Sequence, residues 1–260
     1  MSCEENNLLV SRQGAVATLT LNRLERRNAL DAALTRALLQ ALEQVDQDAG
    51  VRLVVLTGAG DRAFCAGGDL AADLAAGQDV RATLALYADL LQRMHTLGTP
   101  LLARVAGYCL GGGLGLALAC DLVLASEDAV FGTPEVRAGM FPMIIAPLLV
   151  AHLGPKRARE MIFCARRIDA GEARELGLVN RVAAAGRLDE LVAEVSADIL
   201  AGSPTALSIG RRALARSAHL GGRQDAEELI NELLEVLASE DAREGIQAFL
   251  QKRRPQWKGR

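Results

Sequence analysis

Aromatic residues are scarce in this chain: one Trp, two Tyr and five Phe among 260 residues. That is too few for a base-stacking platform, and the formal net charge of −3 supplies no basic field for a nucleic acid or an anionic membrane. Histidines number three, and His95, His152 and His219 stand in unrelated contexts. With no GxSxG elbow beside them, a Ser/His triad has little support, and the absence of GxxxxGK[ST] removes the commonest nucleotide-hydrolysing reading. The five cysteines, Cys3, Cys65, Cys109, Cys120 and Cys164, are widely spaced, with no CxxC pair and no Cys/His metal spacing. Neither a disulfide framework nor a metal site is expected from them, and reduced thiols in a cytoplasmic protein fit best. The polar, acidic start of the chain is unlike a signal peptide and supports the same expectation.

Long uninterrupted apolar runs are also lacking. Residues 105–120 carry no charge but fall short of a membrane span and contain five glycines. Residues 138–155 are broken by Pro142 and Pro147. Both read as buried core, so no membrane partner is expected. What the chain does have is ordinary globular composition, 50% hydrophobic and 23% charged, and enough length for a sizeable core.

Strand-like and helix-like patterns alternate through the first half. Residues 8–11 and 16–21 flank Gln13-Gly14 as a hairpin. Asp31 is a plausible cap for a helix carrying Leu34, Leu38, Leu39, Leu42 and Val45 at helical spacing. A β-rich run at 51–57, a helix over 80–97 and strands at 101–106, 122–125 and 129–131 follow. From about Ile144 the pattern is mostly helical, with 178–182 as the only strand-like interruption. These elements predict an α/β body over residues 1–200 and a helical extension over 201–260 that packs on the body or on a neighbouring subunit.

Gly58-Ala59-Gly60-Asp61-Arg62-Ala63 matches a relaxed dinucleotide fingerprint. No helix opens directly after it, so a nucleotide cofactor is not expected. Three other segments are more informative. They are Phe64-Cys65-Ala66-Gly67-Gly68-Asp69-Leu70, Ala106-Gly107-Tyr108-Cys109-Leu110-Gly111-Gly112-Gly113-Leu114-Gly115, and Phe131-Gly132-Thr133-Pro134-Glu135. Glycine-rich turns at helix starts expose unpaired N–H groups. Two such turns converging on one point would stabilise the negative oxygen of an enolate, with a carboxylate nearby to move protons. Taken singly, each glycine turn is explained as well by tight packing.

Together these segments resemble the enoyl-CoA hydratase/isomerase (crotonase) superfamily, and the resemblance extends over nearly the whole chain. Residues 21–30 (LNRLERRNAL) look like its N-terminal signature with Leu24 in place of the usual proline; Asp121-Leu122-Val123 and Gly177-Leu178-Val179-Asn180 also match. The resemblance implies a crotonase-like spiral of ββα units with a helical C-terminal region forming a homotrimer, often a dimer of trimers. It implies an acyl-CoA thioester substrate, no separate cofactor and no metal. It places the oxyanion donors on the backbone N–H of Gly68 and Gly112 and the catalytic carboxylate on Glu135. Substrate contacts are implied for Arg26, Arg27, Ala66, Asp69, Leu70, Gly111, Gly115 and Pro134, and for Phe249 and Lys252 from a neighbouring tail. Met140-Phe141-Pro142-Met143 is expected to line the acyl pocket, with core packing as the alternative.

One departure bears on the chemistry. Hydratases of the family typically use two glutamates, and the first falls on Gly115, which has no side chain. One carboxylate suits isomerisation directly, whereas water addition is easier with two groups positioning the water. The family also includes hydratase-like relatives with a small residue there. Gly115 is expected to leave space for a bulkier acyl group or a water, and Asp73 is a candidate to supply the missing function. Three readings stand: a hydratase-type lyase, a 3-enoyl to 2-enoyl-CoA isomerase, and a non-catalytic acyl-CoA-binding protein. Retention of Glu135 argues against the last.

Overall fold

The structure, a computed structural model, describes residues 7–69, 77–216 and 223–260. Cys3, Leu70, Asp73 and His219 therefore lie outside the described residues.

The chain opens with an antiparallel hairpin, β1 (Leu8–Gln13) and β2 (Val16–Leu21), in register Leu8↔Leu21 to Gln13↔Val16. Helix α1 (Ala32–Gln47) starts where expected because the Asp31 carboxylate accepts the Leu34 N–H at 2.8 Å. Three repeats of one unit follow. The first is β3 (Leu53–Gly58), β4 (Ala63–Cys65) and α2 (Val80–Thr96). The second is β5 (Leu101–Val105), β6 (Tyr108–Leu110) and α3 (Gly112–Leu118). The third is β7 (Leu122–Ser126), β8 (Val130–Gly132) and α4 (Ala146–Phe163), with a 3-10 turn at Glu135–Ala138 before the helix. Then come β9 (Arg167–Asp169), α5 (Ala170–Glu175), β10 (Arg181–Ala183), α6 (Leu188–Ala201), α7 (Pro204–Arg216), α8 (Arg223–Ala238) and α9 (Glu240–Leu250).

In each repeat the first strand enters a six-stranded sheet, ordered β1-β2-β3-β5-β7-β10, and the second enters a four-stranded sheet, ordered β4-β6-β8-β9. This is the expected spiral of ββα units. The relaxed dinucleotide fingerprint is simply the link from β3 to β4. Parallel strands covered on both faces must be apolar throughout, and β3 is buried along its whole length. Its side chains alternate between two cores. Val54 and Leu56 pack with α1, α2 and α3, while Leu53 and Val55 pack with Leu188 and Val195 of α6.

Two expectations need correction. The strand near 178–182 is β10, shifted to Arg181–Ala183, and it is not the only strand of the second half. Strand β9 pairs antiparallel with β8, but it has three residues and buries only Ile168, too short to show a period. The Gly177–Asn180 segment instead anchors the sheet. Asn180 N–H donates to Val123 O, and its Oδ1 accepts the Val123 N–H.

Helix α7 is held to the body by Arg211. Its Nε donates to both oxygens of Asp121 at 2.9 and 2.7 Å, while its terminal nitrogens donate to Leu97 O and Met94 O. A buried guanidinium so fully partnered fixes the helix precisely where a lone charge would be costly. Helices α8 and α9 leave Ile230, Leu233, Leu234, Leu237, Ile246 and Phe249 more than half exposed. No helix among the described residues is long and apolar enough to cross a membrane.

Candidate active site

Two turns with one shared device face each other. In the turn after β4, Gly67 adopts φ +106° and Gly68 follows it; in the turn after β6, Gly111 adopts φ +52°, ψ −124° and Gly112 follows it. Those backbone states lie where a β-carbon is strained. Gly111 has a second reason to be glycine, because its β-carbon would sit 2.6 Å from Glu135 Oε1. A β-carbon on Gly112 would point to within 3.6 Å of Gly68 N, so the two glycines border the same small space. Among the described residues, neither the Gly68 nor the Gly112 N–H donates to a chain carbonyl. Two unpaired donors bordering one space are the geometry needed to receive a negatively charged oxygen.

Different neighbours support the two turns. The Gly68 turn lies against residues 27–30: Ala66 N–H donates to Arg27 O, Leu30 N–H to Gly67 O and Asp69 N–H to Leu30 O, at 3.1, 2.8 and 2.7 Å. Arg23 ties this junction. Its guanidinium reaches Ala29 O at 2.6 Å, Asp31 at 3.0 Å and Asp69 at 3.2 Å, and all three charged side chains are less than one-fifth exposed. Asn28, 1% exposed, donates to Ala59 O and Ala63 O from the same strip. The Gly112 turn is held by the core instead, with Gly111 N–H donating to Gly132 O and Gly113 packed directly on Cys65.

Glu135 follows Pro134 at the start of the 3-10 turn, beyond β8. Its side chain is half-buried, and its Oε2 is a buried atom with no hydrogen-bond partner. Burial raises its pKa above the ordinary carboxylate value of 4.5. An unpartnered carboxylate with a raised pKa is suited to taking and returning a proton.

Gly68, Gly112 and Glu135 line a cavity of about 410 Å³. Leu84, Met140, Phe141, Pro142, Met143 and Ile145 form much of its wall, with Thr35, Thr83 and Tyr87 as polar lining, and no Lys or Arg lines it among the described residues. The Met140–Met143 segment thus lines the cavity as expected. No cluster of His, Cys, Asp and Glu side chains among the described residues could hold a metal ion.

The remaining sequence-named positions divide. Arg26 and Arg27 are exposed on the turn that pairs with Ala66. Asp69 engages Arg23 and so braces the Gly68 turn. Phe249, 83% exposed, and Lys252, on the turn just past α9, do not line the cavity of their own chain. Gly115 is the clearest correction. It leaves no space, because a β-carbon there would fall on Ile145 Cγ2 and on the Tyr87 hydroxyl. Tyr87, from α2, fills that corner and donates to Gly112 O at 2.5 Å. It was not singled out from the sequence. Its signal was a polar tip on the apolar stripe shared with Leu90, Leu91 and Met94. Arg23 was likewise visible only as part of the 21–30 signature.

Fold and cavity define a class: a ββα-spiral protein with paired backbone N–H groups and one unpartnered carboxylate on a shared cavity. The family model described as enoyl-CoA hydratase/isomerase matches residues 11–260. A 2,3-dehydroadipyl-CoA hydratase of Escherichia coli K12 is 37% identical over 257 residues, covering 98% of this chain and 100% of the relative. A short-chain-enoyl-CoA hydratase of Clostridium acetobutylicum is 31% identical over 257 residues, covering 96% and 97%. The crystal structure of an enoyl-CoA hydratase from Bacillus anthracis superposes with a TM-score of 0.93 at 33% identity, covering 98% of this chain and 100% of that one. The chain belongs to the enoyl-CoA hydratase/isomerase family, the crotonase superfamily.

Proposed function

We propose that this protein is an enoyl-CoA hydratase-type lyase that adds water across the double bond of a 2-enoyl-CoA with Glu135 as its single carboxylate acid–base. The observation that carries this reading is the unpartnered Oε2 of Glu135, in a cavity also lined by Gly68 and Gly112. The thioester oxygen would lie between the two N–H donors, which stabilise it as it becomes an enolate. Glu135 would remove a proton from water as the water oxygen bonds to C3, and then deliver that proton to C2. The sum is one water added, with the carboxylate restored. No separate cofactor enters the scheme, since coenzyme A arrives as part of the substrate.

The cavity wall supports an uncharged acyl group. A carboxylated chain needs a cationic partner when buried, and no Lys or Arg lines the cavity among the described residues. Arg26 and Arg27, exposed beside Ala66, would meet the CoA phosphates. The apolar side chains that α8 and α9 leave exposed support a homotrimer, or a dimer of trimers, in which Phe249 and Lys252 of one subunit complete the CoA site of the next. Gly115 favours a second reading, a 3-enoyl to 2-enoyl-CoA isomerase in which Glu135 shuttles one proton between two carbons.

Mass spectrometry after incubation with straight, branched and carboxylated 2-enoyl-CoAs and a 3-enoyl-CoA in ¹⁸O-labelled water separates the readings. We expect one labelled oxygen in the product from uncharged 2-enoyl chains. Interconversion of the 2- and 3-enoyl thioesters with no label gained would establish the isomerase instead.

A further inference from the structure

A hydratase must hold its attacking water as well as deprotonate it, and Gly115 provides no carboxylate for the second contact. We propose that Tyr87 takes this role, its phenol oxygen accepting a hydrogen bond from the water whose other proton goes to Glu135. The inference rests on the hydratase reading above.

Three observations carry it. First, a β-carbon on residue 115 would fall too close to both the phenol oxygen and Ile145 Cγ2, so Tyr87 in this position, like Ile145, is compatible with glycine at 115. Second, the phenol has one proton, and it is donated in a hydrogen bond to Gly112 O, 2.5 Å away. Its remaining capacity is to accept. An incoming water is thus met by an acceptor at Tyr87 and by a basic acceptor at Glu135. Third, Tyr87, Glu135, Gly68 and Gly112 line the same cavity. Burial, helped by the negative charge of Glu135, keeps the phenol protonated well above its ordinary pKa. The phenol proton donated to Gly112 O therefore stays on Tyr87 through the reaction. Water gives one proton to Glu135 and its oxygen to C3, Glu135 returns the proton to C2, and Tyr87 neither gains nor loses one.

The same hydroxyl also touches the residue that carries one oxyanion donor, so the test must separate holding water from shaping the turn. Tyr87→Phe keeps the ring in its packing. Two rates should be measured on it and on the parent enzyme: hydration of 2-butenoyl-CoA, and exchange of the C2 hydrogens of butanoyl-CoA with deuterium from solvent. Exchange uses Glu135 and the two N–H donors but no attacking water. We expect kcat for hydration to fall at least tenfold with KM within threefold, and the ratio of hydration to exchange to fall at least tenfold. An unchanged ratio, whether both rates survive or both fall together, overturns the assignment while leaving the hydratase reading intact. A parent enzyme that exchanges C2 hydrogens but hydrates no 2-enoyl-CoA overturns both.

Discussion

The Gly68 and Gly112 turns present the same chemical group by the same backbone device, a positive-φ glycine before the donor, yet they are built on different foundations. The Gly68 turn is tied from the surface side by backbone pairing to residues 27–30 and by Arg23. The Gly112 turn is wedged into the core between Cys65, Glu135 and Tyr87. A donor held by ion pairs and one held by packing should fail in different ways. Side chains at the two glycines also meet different surroundings: a β-carbon at Gly68 would touch nothing within 4 Å, whereas one at Gly112 would point into the space shared with Gly68 N.

The largest expected effect is at the packed turn. Gly112→Val places branched carbon between the donors and should lower kcat by roughly 10²–10³-fold, the usual loss for an oxyanion donor. Normal turnover would mean that the substrate oxygen does not bind there. At the tethered turn, Arg23→Met leaves Asp31 and Asp69 as neighbouring, poorly hydrated carboxylates. Loss of the shared cation from this partly buried cluster costs about 1–3 kcal/mol, readable as a lower denaturant midpoint, with activity declining as the Gly68 turn loosens. A stable, fully active variant would show that backbone pairing alone holds that turn.

A smaller effect concerns Glu135, which borders the packed turn. Its folded-state pKa is raised, so the folded protein binds the proton more tightly than the unfolded chain does. This contribution to stability is greatest at low pH and is lost as pH rises through the folded pKa. Glu135→Gln removes the charge whose burial raises that pKa. Its melting temperature should rise, by roughly 2–4 °C per kcal/mol for a chain of this size. By the same shift, the acid limb of kcat/KM for the parent enzyme should lie above pH 4.5. The smallest effect is at Gly68. Gly68→Ala meets open space and keeps the N–H, so turnover should stay within about twofold of the parent.

This contrast was only half legible in the sequence. The hairpin, α1 with its Asp31 cap, the body strands and the glycine turns each carry a local signal, and the structure places them as expected. The short strands β4, β6 and β9 do not, because three residues cannot display a period of two. Glu135, Gly68 and Gly112 were named through the family resemblance, and the structure brings all three to one cavity. What supports them was hidden, because Arg23 to Asp69 spans 46 residues and Tyr87 to Gly112 spans 25, and no local pattern encodes such contacts. Gly115 misled for the same reason. A missing side chain reads as empty space until the residues that fill it, Tyr87 and Ile145, are seen.

The measurement closest to the central claim is single-turnover hydration of 2-butenoyl-CoA by Glu135→Gln, alongside its affinity for butanoyl-CoA. If Glu135 is the sole acid–base group, turnover should fall by about 10²–10⁴-fold while the thioester binds within a fewfold of the parent. Turnover retained to within tenfold would contradict the account and move the proton transfers to another residue.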